Sequence, residues 1–91
     1  GKITLRNCRF SDQDNIVITG VAVAEFHNCD IAGNLTILDG AEVLLNKGAV
    51  HGTLTTRGTT SRRPKVTLQE CKPNTIDDDP NLGAQWGNAT N

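Results

Sequence analysis

The chain has 91 residues, a formal net charge of −1 from 9 Lys plus Arg against 10 Asp plus Glu, and only three aromatic residues, Phe10, Phe26 and Trp86. That length supports one small domain, and the near-neutral charge gives neither nucleic acid nor an anionic membrane a reason to bind. So few rings leave little to stack sugars on, no apolar run is long enough to cross a bilayer, and with no basic-then-apolar leader the expectation is a soluble chain, already trimmed.

In chain order, the first strand-like segment is Ile3-Thr-Leu-Arg-Asn-Cys-Arg-Phe10, and a second short one, Ile16-Val-Ile-Thr19, follows it. The same two-part unit returns as Ala24-Glu-Phe-His-Asn-Cys-Asp-Ile31 with Leu35-Thr-Ile-Leu38, and again as Val43-Leu-Leu-Asn-Lys-Gly-Ala-Val50 with Leu54-Thr-Thr-Arg57. Val66-Thr-Leu-Gln-Glu-Cys-Lys-Pro73 opens a fourth unit. The long segments begin 21, 19 and 23 residues apart and the short ones 19 and 19 apart, a repeat of roughly constant period. Within them Ile3/Leu5, Ala24/Phe26, Val43/Leu45 and Val66/Leu68 alternate with Thr4, Glu25, Leu44 and Thr67, so one face is core. Gly, Asn, Asp and Thr recur every few residues, which leaves room for strands and tight turns but not for helices.

A hairpin meander would not keep two unlike strands in fixed order at constant period, whereas a solenoid must, because equivalent strands stack on one another. The sequence therefore predicts an all-β fold, a short right-handed parallel β-helix of three to four coils over residues 1–75. Residues 76–91, with Ile76, Leu82 and Trp86 among Pro, Gly, Asn and Asp, are expected to fold over the last coil as a C-terminal capping tail.

Stacking at this period puts Cys8 beneath Cys29, with Gly48 and Cys71 in the next two equivalent places. The expectation is an interior column of three buried, reduced thiols: the rung spacing is somewhat wide for a relaxed disulfide, and no histidine falls at a ligand spacing. At Asn7-Cys8, Asn28-Cys29 and Glu70-Cys71 the sequence resembles the coils of the pectate-lyase-like β-helix superfamily, over residues 2 to about 73. The resemblance is one of coil type, and the architecture it implies is shared by lyases, hydrolases, phage tailspikes, adhesins and non-catalytic proteins. It implies that Asn7 and Asn28 belong to a stacked amide ladder. Lys47 and Glu70 fill the next two places and can form a cross-rung ion pair.

On the outside of the first strand the columns read Arg6, His27, Asn46, Gln69 and, past the turn, Arg9, Asp30, Ala49, Lys72. Arg6, Arg9, His27 and Asp30 are the candidate ligand face, because β-helix enzymes acting on acidic polysaccharides set carboxylates and basic groups on such a surface. The plain alternative is an Arg9–Asp30 ion pair. Asn28-Cys29-Asp30 and His51-Gly52 superficially resemble pieces of polygalacturonase motifs, but the Asp pair and the Arg-Ile-Lys segment that family needs are missing from the coil region. No catalytic residue, metal or cofactor is therefore expected. The run Ile76-Asp-Asp-Asp-Pro80 lacks the ligand spacing of a calcium loop and reads as a solvated turn. Arg57, Arg62, Arg63 and Lys65 straddle the longest insertion, which reads equally as a contact surface or a solvated loop. Asn34-Leu-Thr36 and Asn88-Ala-Thr90 match the glycosylation acceptor pattern. The outward Thr columns are broken by Val17, Glu25 and Leu44, so there is no regular array for ice, and no histidine pair supports a metal-tipped membrane-piercing apex.

A solenoid exposes backbone and apolar core at an uncovered end. Ile3, Leu5, Ile16 and Ile18 lie on the lower edge of the first coil, so these residues, with Arg57, Arg62 and Arg63, are the interface candidates. The expected function is a non-catalytic structural or binding module of an extracellular, cell-surface or virion assembly, self-associating or joined to other proteins through the first coil. The alternative is a piece of a polysaccharide-binding or polysaccharide-degrading β-helix protein.

Overall fold

The computed structural model describes residues 2–88. It is an all-β parallel solenoid of about four turns, with no helix among the described residues. The first sheet holds β1 (Lys2–Arg6), β4 (Val23–Ile31), β6 (Glu42–Val50), β8 (Lys65–Gln69) and β10 (Gln85–Asn88) in that order, with β2 (Arg9–Phe10) also pairing β4. The second runs β3 (Asn15–Ile18), β5 (Asn34–Leu38), β7 (Thr53–Arg57) and β9 (Thr75–Asp78). Every ladder is parallel, and those joining the repeated segments keep the register the repeat predicts: Ile3 faces Ala24, Ala24 faces Val43, and Val43 faces Val66.

Stacking like on like builds the core. Ile16, Leu35 and Leu54 form one inward column of the second sheet, and Phe26 and Leu45 stack in the first. Ile31, Leu35, Ile37, Leu54 and Val66 are wholly buried, so a narrow coil still encloses a continuous apolar interior. Phe10 and Phe26 meet edge to face, ring centres 6.4 Å apart.

The long strands turn a corner that alternation alone does not reveal. In β4 the buried residues are Ala24 and Phe26, then Cys29 and Ile31, so the pleat slips by one residue at His27-Asn28. The slip is made by a residue in the left-handed region: Asn7 (φ 54°), Asn28 (57°), Lys47 (62°) and Glu70 (55°) occupy this corner in successive coils. Asn tolerates that conformation, and the Asn28 amide donates to Asn7 Oδ1 at 2.9 Å, which makes the expected ladder. Lys47 and Glu70 adopt it at a cost, with Nζ and Oε2 4.0 Å apart.

Two sequence expectations change here. Gly48 does stand opposite Cys29, but it is exposed with φ 84°, and a Cβ there would strike the Cys29 carbonyl oxygen; the third place in the cysteine column therefore cannot hold a side chain. Cys29 and Cys71 are buried while Cys8, in the outermost coil, is only half-buried. The segment expected to cap the last coil instead lengthens both sheets as far as Asn88. β9 lies on β7 with Ile76 over Leu54, and β10 lies on β8 with Trp86 over Val66. Its Ile76 and Trp86 continue the inward columns rather than crossing them, and they stay 46% and 39% exposed because no further rung covers them among the described residues.

Replacing Lys47 by Asn should stabilise the fold by about 0.5–1 kcal/mol, since Asn pays less for the left-handed corner and can extend the amide ladder, while an exposed ion pair contributes little. Leu54→Ala should instead cost about 3 kcal/mol. Urea unfolding followed by Trp86 fluorescence measures both.

Candidate functional site

The ladder places Arg6 beside His27 and Arg9 beside Asp30, but the corner at Asn7 and Asn28 divides the two pairs. They do not form one site. Asn7, Cys8, Arg9, Asn28 and Asp30 line a shallow depression of about 330 Å³, and neither Arg6 nor His27 reaches it.

His27 sits on the other side of the corner with its side chain 19% exposed. Asn46 Nδ2 donates to His27 Nδ1 (3.1 Å), which assigns the ring proton to Nε2, and Nε2 donates to Glu25 Oε1 (3.0 Å). Lys2 Nζ closes the chain on Glu25 Oε2 at 2.8 Å. Hydrogen bonds from Lys2 and then His27 hold the Glu25 carboxyl below its usual range. His27 is thereby tied into a surface network across three coils. Glu25 was visible in the sequence only as a gap in a Thr column; what links it to Lys2 is a diagonal reach between neighbouring strands, which a column-by-column alignment does not display.

The Arg9–Asp30 ion pair does not form among the described residues. Asp30 Oδ1 instead approaches His51 Nε2 of the next coil at 3.9 Å, with both side chains more than half exposed. Asp30 is the one carboxylate in the depression, where hydrolysis of a glycosidic bond ordinarily uses two.

The acidic run and the arginines of the insertion belong together. Arg57 Nη2 donates to Asp77 Oδ1 at 2.9 Å, and Nη1 donates to the carbonyls of Asp77 and Thr56. Asp79 Oδ1 accepts from the backbone N–H of Asn81 and Leu82, turning the chain at Pro80. Arg63 Nε donates to the Gly83 carbonyl at 2.9 Å. Asp78 stands in the inward column of Ile18, Ile37 and Thr56, where it accepts from the buried Thr56 hydroxyl and from the Ala84 N–H. Two of the arginines taken as contact candidates, Arg57 and Arg63, are thus engaged in holding the final turn, whereas Arg62 is exposed beside Gly40. The insertion runs from Gly58 to Pro64, where the preceding coil uses only Asp39 to Ala41, and this accounts for the longer third interval.

At the lower edge, Ile3 is 59% exposed, Leu5 and Ile16 are half-buried and Ile18 is buried. Of the two glycosylation patterns, Asn34 is exposed with its Oδ1 accepting from the Thr53 N–H, and Ala89 and Thr90 of the second lie outside the described residues. The fold defines the class as a parallel β-solenoid, whose outer faces carry the Lys2–Glu25 and Arg57–Asp77 pairs as well as exposed Val17 and Val21. No protein family matches the chain, and neither a curated protein nor a solved structure does so.

Burial pushes the Asp78 carboxyl up, but hydrogen bonds from Thr56, Ala84 and the Trp86 side chain, with the charge of Arg63, outweigh it and leave it below the ordinary carboxyl range. A depressed folded value contributes stability above the unfolded value of about 3.9 and loses it as pH falls through the folded one. Asp78→Asn should therefore lower stability at neutral pH and flatten its fall below about pH 4, as read from urea midpoints across that range.

Proposed function

We propose that the chain is a non-catalytic structural or binding module, a rigid solenoid built into a larger extracellular, cell-surface or virion assembly. The observation that carries this reading is the contrast between faces and ends. Along the sides, Lys2, Glu25, Arg57 and Asp77 neutralise one another. Among the described residues, apolar members of the inward columns are left uncovered at the outer rungs: Ile3, Leu5 and Ile16 at one edge, Ile76 and Trp86 at the other. Unpaired strand edges with apolar flanks are templates for further strands, so a neighbour that continues the ladders is the natural cover. The coil-level resemblance to the pectate-lyase-like superfamily supports a place among proteins that use such rods for assembly as well as for catalysis.

The second reading, a polysaccharide-binding or polysaccharide-degrading β-helix protein, rests on the depression where two carboxamides, Arg9 and Asp30 offer sugar-binding groups. Loss of uronate or capsular polysaccharide chain length on incubation, abolished by Asp30→Asn, would favour it over the first.

Under the assembly reading, light scattering should find the chain associated at micromolar concentration, and Ile3→Lys should reduce that association by placing a charge in the exposed edge. A stable monomer indifferent to the substitution would overturn it.

A further inference from the structure

The corner brings two thiols into facing places on adjacent rungs. Arg6 pairs with His27 and Arg9 with Asp30, and between them Asn7 N–H donates to the His27 carbonyl and Asp30 N–H to the Cys8 carbonyl, both at 2.9 Å. Cys8 therefore lies opposite Cys29. A rung spacing of about 4.8 Å falls inside the Cα separation that disulfides span, roughly 4.4–6.8 Å, and leaves the Cβ atoms only a few tenths of an ångström beyond their usual range.

The side chains are disposed for closure. Cys29 Sγ donates to the Leu5 carbonyl of the first coil at 3.5 Å, so it leans toward the rung that holds Cys8. Cys8 Sγ has one weak bond, to the Arg6 carbonyl at 3.4 Å, so rotation about its Cα–Cβ bond gives up only that contact. Cys8 is half-buried and lines the depression with Arg9 and Asp30, which gives a small reagent access to its thiol. Cys71 lies two rungs above Cys29 with Gly48 between, is buried, and has its thiol pushed up by that burial.

We propose that Cys8 and Cys29 form a redox-responsive pair, which a small-molecule disulfide such as glutathione disulfide converts to a cross-rung disulfide that fastens the first coil to the second. The Cys8 thiolate attacks one sulfur of the reagent and expels one thiolate. The Cys29 thiolate then attacks the Cys8 sulfur and expels the other. Two protein thiols lose two protons and two electrons, and one small disulfide becomes two thiols.

The test oxidises the folded, fully reduced chain with excess glutathione disulfide at about pH 8, where thiolate is available. Tryptic mapping without reduction should show Asn7-Cys8-Arg9 joined to the peptide Phe10–Lys47, and thiol titration after denaturation should fall from three to one. The oxidised chain should melt several degrees higher, since the link closes a loop through the edge coil. Cys8→Ser should leave the other two thiols and the melting point unaffected by the same treatment. Three thiols surviving, a glutathione adduct persisting on Cys8, or a link through Cys71 would each overturn the proposal.

Discussion

In-register parallel stacking is the constraint on which the rest of this molecule depends. Each residue sits directly over its counterpart about 4.8 Å below, so whatever a position requires in one coil it requires in the next. Apolar side chains repeat inward because the column must close without a gap, and the corner repeats because a coil that turned elsewhere would lift every later strand off its ladder. The conformation at Asn7, Asn28, Lys47 and Glu70 shows the force of this. Two of the four are residues with no preference for a left-handed backbone, yet they take it because the rungs beneath have fixed where the chain must bend.

This explains which parts of the fold were legible. Columns such as Ile16, Leu35 and Leu54 announce themselves by type and period, and so the number of coils, their strands and their register follow from spacing. The corner was legible where Asn marked it and hidden where Lys and Glu did, since neither signals a positive φ. The last turn was misread because its inward column carries Asp78 where the coils below carry Ile and Thr, and an acidic run reads as solvent-facing until the Thr56 hydroxyl that satisfies it is placed. The candidate surface was legible only as columns. That Arg6 and His27 would part from Arg9 and Asp30 depends on the corner, and that Lys2 would reach Glu25 depends on a diagonal contact, neither of which a vertical alignment contains; the His27–Asn46 contact does lie within one column.

The departures from the repeat come with their compensations. Gly48 interrupts the cysteine column at a left-handed position where a side chain would strike the rung below, and Val50 keeps the interior apolar two residues on. Thr56 and Asp78 put polar groups into an apolar column, but they do so as a bonded pair, and no buried side-chain nitrogen or oxygen among the described residues lacks a partner. A lone polar group in either place would cost more than the pair, so each of these residues has its meaning from the one stacked on it.

The distribution of polar links along the axis follows from the same geometry. A solenoid is held by neighbour terms, and an inner rung has two neighbours where an outer rung has one. The inner rungs of this chain combine apolar columns with polar links, Asn46 to His27 and the Thr53 N–H to Asn34 Oδ1, while their Lys47–Glu70 contact is long and exposed. At the lower edge, where burial is weakest, Lys2 reaches Glu25 and Asn7 receives the Asn28 amide. At the upper edge Arg57 grips Asp77, Thr56 grips Asp78, and Arg63 holds the carbonyl of Gly83. Such links add modestly to stability in water, but they are directional, and direction is what an outer rung lacks when apolar contact covers only one side. They keep the edge strands in register, so that the outer rungs present an ordered ladder, with its open backbone groups correctly spaced, to whatever strand comes to lie against them.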